Sequence, residues 1–164
     1  MQKKICLLGG FGVGKASLVS RYVHSIFSDK YMTSVGVKIE KKSVHVKGTD
    51  VDLVIWDIYG QDDFQKVRMS YLRGASGYFL VVDGTRAATL DTALALHDSA
   101  QQVVPGAAFT LLVNKADLVS QWEVREDVLE RLRTKGWRVL KTSAKTGDEV
   151  DQAFLGLARA MLET

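Results

Sequence analysis

A glycine-rich segment near the amino terminus has the composition of a phosphate-binding loop. Residues 9–17 read Gly-Gly-Phe-Gly-Val-Gly-Lys-Ala-Ser, after the apolar run 5–8 and before a helical pattern. Glycines keep Cβ atoms out of a tight loop, so consecutive backbone N–H groups can face phosphate oxygens at the positive end of the helix. Lys15 would add charge for the outer phosphates, whereas Ala16 stands where a Mg²⁺-binding hydroxyl is usual. The pattern therefore predicts nucleotide binding more strongly than catalysis.

A second candidate site follows the apolar segment 51–56. Asp57 would lie at a strand end facing the glycine-rich loop, where it could bind Mg²⁺ through water. Gly60 would bring a backbone N–H close to a terminal phosphate. Gln61 could orient an attacking water, because its amide both donates and accepts hydrogen bonds. On its own, this stretch would indicate only a strand that ends in turn-forming residues.

Two polar motifs follow later strands and predict recognition of a base. Residues 114–117 read Asn-Lys-Ala-Asp, and residues 142–145 read Thr-Ser-Ala-Lys. The carboxylate of Asp117 can accept both the N1–H and the N2–H₂ of guanine, a donor pair that adenine lacks. We expect Asn114 to tie the loops together, Lys115 to cover the ring, and the N–H of the second motif's alanine to donate to O6. The base predicted from these residues is guanine.

Apolar runs alternate with helical patterns along the chain, which is typical of a doubly wound α/β domain with ligands at the carboxyl ends of the strands. Strands are predicted over 3–8, 37–46, 50–56, 78–82, 109–113 and 138–142. Helices are predicted over 15–27, 64–74, 89–103, 121–135 and 148–162. Segment 37–46 alternates in polarity and is followed by a turn at 47–50, which indicates a half-exposed edge strand in a hairpin. We therefore expect a six-stranded, mostly parallel sheet with one antiparallel edge strand and five flanking helices.

Composition limits the class of protein. The 164 residues fit one domain, 1–164, and the net charge of +3 argues against nucleic-acid binding. No apolar run approaches the roughly 20 residues of a membrane span. Cys6 is the only cysteine, which predicts a cytoplasmic protein with a small core thiol and no lipid anchor at its carboxyl end. We expect a monomer.

Taken together, the motifs make the chain resemble a small GTPase of the Ras superfamily, closest to the Rab-like group, over essentially its whole length. The pieces that carry the resemblance are Gly-Gly-Phe-Gly-Val-Gly-Lys-Ala-Ser-Leu, Trp-Asp-Ile-Tyr-Gly-Gln, Asn-Lys-Ala-Asp and Thr-Ser-Ala-Lys. The resemblance implies a P-loop NTPase G domain that binds one GTP or GDP with Mg²⁺. It also implies two switch loops, at 28–36 and from 57 to about 73, that order around the γ-phosphate and contact protein effectors and regulators.

The resemblance also implies roles for individual residues. The implied nucleotide-binding residues are Gly12, Val13, Gly14, Lys15, Ala16, Ser17, Phe27, Tyr31, Ser34, Gly60, Asn114, Lys115, Asp117, Ser143, Ala144 and Lys145. The implied catalytic residues are Gln61, Lys15 and Ser34, and the implied metal ligands are Ser34 and Asp57.

Several positions depart from the family pattern. Ala16 removes a direct Mg²⁺ ligand, and Ser17 cannot replace it because one step along a helix turns the side chain by about 100°. Ser34 stands where a threonine is usual, and Phe11 and Tyr59 add bulk near the γ-phosphate. Two functions stay open: a slow GTPase switch, which we favour, and a mainly GDP-bound interaction module that hydrolyses little. The loss of the hydroxyl at position 16 could be natural or engineered.

Overall fold

The structure is a computed structural model that describes residues 1–25, 37–58 and 69–163. The strands are β1 Gln2–Gly9, β2 Val37–Val46, β3 Thr49–Ile58, β4 Gly77–Asp83, β5 Ala108–Asn114 and β6 Val139–Lys141. The α-helices of the described residues are α1 Lys15–His24, α2 Ala88–Val103, α3 Glu126–Thr134 and α4 Val150–Leu162. Short 3₁₀ helices cover Met69–Leu72 and Val119–Gln121.

The strands form one six-stranded sheet in the order β2-β3-β1-β4-β5-β6. The β2–β3 pair is antiparallel and the other pairs are parallel, which confirms the predicted sheet. Every residue of β4 is buried, as expected for a strand that helices cover on both faces. The parallel strands therefore direct the loops that follow β1, β3, β4, β5 and β6 to one edge of the sheet.

Two apolar cores lie on opposite faces of the sheet. Ile5 and Leu7 of β1 pack into the core that contains Phe154 of α4, whereas Cys6 and Leu8 pack into the core that contains Leu129 of α3. Successive side chains of a strand point to opposite faces, so one apolar run supplies both cores. Cys6 is the predicted core thiol; burial raises its pKa to about 12, despite the nearby Lys4.

The predicted edge hairpin is present. Strands β2 and β3 pair from Val37↔Ile58 to Val46↔Thr49, and the chain reverses through Lys47 and Gly48. Both turn residues have positive φ, 51° and 74°, which is typical of a two-residue type I′ hairpin turn. Buried side chains alternate with exposed ones in β3, because one face of the hairpin packs on the core.

Three of the α-helices are shorter than the sequence predicts, whereas α2 begins one residue earlier than predicted. The helix predicted over 121–135 begins at Glu126, since Trp122 is extended and packs so closely on Gly84 that an added Cβ there would lie 2.1 Å from the indole. The helix predicted over 15–27 ends at His24, because Ser25 has a left-handed conformation. Of the helix predicted over 64–74, residues 64–68 lie outside the described part, and Met69–Leu72 form a 3₁₀ helix. The described residues thus contain four α-helices rather than five.

Among the described residues, no helix combines the length and apolar character that a membrane span requires.

Candidate nucleotide-binding site

The glycine-rich loop joins the carboxyl end of β1 to the first turn of α1. Gly12 and Gly14 have φ of 74° and 99°, conformations that L side chains rarely adopt. A Cβ on Gly14 would lie 2.4 Å from Nδ2 of Asn114, and a Cβ on Gly9 would lie 2.6 Å from the Val81 carbonyl oxygen. Glycine is therefore needed here both for the backbone conformation of the loop and for the close contact with β4 and β5.

Side chains of the Asn-Lys-Ala-Asp motif hold this loop from outside. Nδ2 of Asn114 donates to the Val13 carbonyl at 3.1 Å, and Nζ of Lys115 donates to the Gly12 carbonyl at 3.0 Å. Asn114 is almost fully buried, so its hydrogen bond is shielded from water. Asn114 and Lys115 thus both link the end of β5 to the glycine-rich loop.

Lys15 and Asp57 lie buried together beside the loop, with 8% and 1% of their surfaces exposed. Within the described residues, neither carboxylate oxygen of Asp57 accepts a hydrogen bond. Burial raises the pKa of Asp57 to about 6, although Lys15 and Lys38 attract its charge. Burial also lowers the pKa of Lys15, and the attraction of Asp57 only partly offsets it. Both groups thus carry a desolvation cost that a ligand of suitable charge would offset.

The oxygen donors at this position fit Mg²⁺ in part. Mg²⁺ prefers carboxylate, hydroxyl and phosphate oxygens with water completing the octahedron, and Asp57 supplies a buried carboxylate without a partner in the described residues. Ala16 supplies no oxygen. Ser17 is buried one position further along α1. Asp57 is accordingly the metal-ligand candidate that the described residues provide.

Hydrogen bonds join the two motifs that are predicted to bind the base, and we call this part of the site the predicted base side. Asn114 Oδ1 accepts from Thr142 Oγ1 at 3.2 Å, and the Ala116 N–H donates to the Thr142 carbonyl at 2.9 Å. The Ser143 hydroxyl donates to Oδ1 of Asp117 at 2.7 Å. The loops after β5 and β6 therefore form one unit, and Asp117 is oriented within it.

An arginine that the sequence analysis missed also bonds the loop after β6, on the predicted base side. Nε of Arg21, on α1, donates to the Ala144 carbonyl at 2.8 Å, and its guanidinium also bonds the Lys145 carbonyl. The Ala144 residue is buried and the Lys145 side chain is exposed. Arg21 lies on the helix that follows the glycine-rich loop, so α1 contacts both ends of the candidate site.

The turn after β4 supplies two further residues that the sequence analysis missed. Asp83 is 1% exposed, and Oδ2 lies 2.8 Å from Nζ of Lys115 and 3.0 Å from Nε of Arg86. Burial opposes its ionisation, but hydrogen bonds from Lys115, Thr85 and Arg86 outweigh burial and hold the pKa at about 2. The sequence signal for Asp83 was its position directly after the apolar run 78–82, at the edge of the sheet where ligands bind.

Several predicted site residues lie outside the described residues. They are Phe27, Tyr31, Ser34, Gly60 and Gln61, together with Tyr59. Of the two predicted switch loops, the structure describes Asp57, Ile58 and residues 69–73.

Comparison with known proteins identifies the family of this chain. The Ras family model matches residues 4–163. The chain is 34% identical over 161 residues to the Ras-related protein Rab-13 of Canis lupus familiaris, covering 97% of this chain and 79% of that relative. It is 33% identical over 161 residues to the Ras-related protein Rab-1 of Theileria annulata, covering 96% of this chain and 73% of that relative. The chain therefore belongs to the Ras family of small GTPases.

Proposed function

We propose that this chain is a slow switch that rests with GDP and binds GTP with less help from Mg²⁺ than the family pattern provides. The observation that carries the proposal is Asp57, a buried carboxylate beside the buried Lys15 with no hydrogen-bond partner in the described residues. Burying a carboxylate without a hydrogen bond is costly. A phosphate chain would supply a charge opposite to that of Lys15, and its cation would supply a charge opposite to that of Asp57.

The glycine-rich loop is proposed to hold the phosphates through its amides and Lys15. Asp117 is proposed to accept both guanine donors; its Oδ1 already accepts from Ser143, but each carboxylate oxygen has two lone pairs. The N–H of Ala144 would donate to O6, and Phe27 and Tyr31 would contact the base and the phosphates. Gln61 would orient the attacking water, and Ser34 would complete the metal site together with Asp57.

Bound Mg²⁺ would neutralise charge on the β- and γ-phosphates and so favour transfer of the γ-phosphoryl group. Ala16 offers no oxygen to this cation, so the chain loses a contact that matters more for GTP than for GDP. We therefore propose that the resting state contains GDP and that hydrolysis without a partner protein is slow. Regulators and effectors would bind the switch loops of a monomeric, cytoplasmic protein.

A second function is favoured by the residues near the γ-phosphate. Phe11 and Tyr59 are bulky where the family usually has small residues, and Ala16 removes a metal ligand. A chain with these features could keep GDP, hydrolyse little GTP and act as an interaction module. Single-turnover hydrolysis separates the two functions.

The test uses three variants with the parent. In single-turnover assays, the parent should hydrolyse GTP slowly and Gln61→Leu should lower the rate further. Ala16→Ser should raise GTP affinity in the presence of Mg²⁺ but not in EDTA, and should leave GDP affinity nearly unchanged. Ser20→Ala is the matched control, because it removes a serine hydroxyl from α1 at a position outside the predicted binding residues.

Two results would contradict the proposal. No measurable hydrolysis by either the parent or Ala16→Ser would favour the interaction module. An equal Mg²⁺ dependence of GTP affinity in the parent and in Ala16→Ser would mean that another oxygen already fills the position.

A further inference from the structure

Three successive carbonyls of the glycine-rich loop accept hydrogen bonds from side chains. The Gly12 and Val13 carbonyls bond Lys115 and Asn114. The Phe11 carbonyl bonds Nη2 of Arg86 at 2.7 Å. Arg86 belongs to none of the motifs that the sequence analysis identified; it lies in the turn between β4 and α2.

These bonds determine which way the amides point. A trans peptide is planar, so its N–H points opposite to its C=O. The side chains of Arg86, Lys115 and Asn114 hold the carbonyls of residues 11–13 on their own side of the loop. The N–H groups of residues 12–14 therefore point to the opposite side, which we call the inner side. Among the described residues, these amides donate to no backbone carbonyl. Consecutive amides that face one concavity form an anion-binding site.

Arg86 is itself fixed, although 47% of its side chain is exposed. Nε donates to the buried Asp83, which also binds Lys115 2.8 Å away. The turn that carries Arg86 is bonded on the other side as well: Glu123 donates its N–H to the Gly84 carbonyl and accepts from the Ala87 N–H. The Arg86 guanidinium thus donates to the anchoring Asp83 through Nε and to the Phe11 carbonyl of the loop through Nη2.

We propose that Arg86 is a positioning residue of the nucleotide site, which holds the peptide between Phe11 and Gly12 with its N–H toward the phosphates. The inference rests on the proposed function, because it requires a nucleotide on the inner side of the loop. Loss of Arg86 removes this hydrogen bond from the Phe11 carbonyl, and the peptide between Phe11 and Gly12 then rotates more freely. Nucleotide release becomes faster as a consequence.

The test measures release of a fluorescent GDP analogue from Arg86→Ala, Arg86→Lys and Arg125→Ala. Removing a hydrogen bond from a charged donor that is half exposed should speed release about fivefold in Arg86→Ala. Lysine has one nitrogen and cannot bond Asp83 and the Phe11 carbonyl at the separate positions of Nε and Nη2. Arg86→Lys should therefore release nucleotide faster than the parent while keeping a similar melting temperature. Arg125→Ala removes an exposed ion pair with Asp127 and should release nucleotide at the parental rate.

A spectroscopic readout separates positioning from general stability. The Gly12 amide belongs to the same peptide as the Phe11 carbonyl, so its ¹⁵N–¹H resonance in the GDP-bound protein should shift in both Arg86 variants and not in Arg125→Ala. The inference about Arg86 would be overturned if both Arg86 variants released nucleotide at the parental rate and kept the parental Gly12 resonance. The proposed function would not be affected by that result. A parent that binds no GDP would overturn the proposed function and the inference with it.

Discussion

Replacing Asp57 with asparagine should stabilise the nucleotide-free protein more at neutral pH than at acid pH. The carboxylate is 1% exposed and accepts no hydrogen bond within the described residues, and burial raises its pKa to about 6 from an ordinary 3.8. In the folded protein, its ionised form is therefore destabilising. Asparagine has nearly the same shape and removes the charge.

The magnitude follows from linkage. A difference of about two pKa units corresponds to about 3 kcal/mol. Between pH 3.8 and 6 the folded state binds a proton that the unfolded state has lost, so the contribution of Asp57 to stability falls as pH rises and is lowest above pH 6. Relative to the parent, the free energy of unfolding of Asp57→Asn should thus be larger at pH 7.5 than at pH 4.5, by about 2 kcal/mol. The buried amide adds an offset that does not depend on pH.

The assay is urea unfolding, followed by tryptophan fluorescence without nucleotide and in EDTA, at the two pH values. Asp52→Asn is the control, because Asp52 lies on the same strand and is exposed. The pH-dependent gain in stability of Asp57→Asn should exceed any gain that Asp52→Asn shows. With GDP and Mg²⁺ present, the parent should gain more stability than Asp57→Asn. An equal difference between Asp57→Asn and the parent at both pH values would refute the reasoning.

The remaining predictions concern packing. Thr110 is buried with no partner for its hydroxyl in the described residues, so Thr110→Val should raise stability by about 1 kcal/mol and the melting temperature by about 2–4 °C. Thr89→Val should instead destabilise the protein by about 1–2 kcal/mol, because the Thr89 hydroxyl accepts from the Asp83 N–H and donates to the Arg86 carbonyl. Calorimetry of the two threonine variants tests both values. Gly14→Ala should cost more than about 3 kcal/mol and abolish GDP binding, because it adds a collision with Asn114 to the strain of positive φ. Gly48→Ala has positive φ but no atom within 4 Å of an added Cβ, and should cost about 1 kcal/mol with binding kept. Similar costs for the two glycine variants would contradict the collision.

Local patterns were enough to predict the sheet, and each strand end to within two residues. Apolar residues at nearly every position of β4 indicated a buried strand, and the turn at 47–50, which contains Gly48, indicated the hairpin. The position of Asp57 followed from the same pattern, since it comes directly after an apolar run. These features depend on neighbours in the chain, which is why the sequence reveals them.

Contacts between distant segments were not predictable in this way. Arg86 and Phe11 are 75 positions apart, and they meet because β1 and β4 are neighbours in the sheet. The Arg21 bond to the Ala144 carbonyl spans 123 positions. The start of α3 was placed too early because the packing of Trp122 on Gly84 overrides a helical pattern. Each of these features depends on a side chain whose partner is selected by the tertiary fold.

Guanine selectivity through Asp117 is the most direct test of the proposed site. Competition titrations with GDP and ADP should be run on the parent, Asp117→Asn and Asp148→Asn. Asp148 is an exposed carboxylate of the neighbouring loop and serves as the control. Asparagine can still accept the Ser143 hydroxyl but turns a donor toward guanine, so GDP affinity should fall about 100-fold in Asp117→Asn alone, while ADP stays weak throughout. GDP affinity in Asp117→Asn equal to that of the parent would contradict the assignment of the base-binding site.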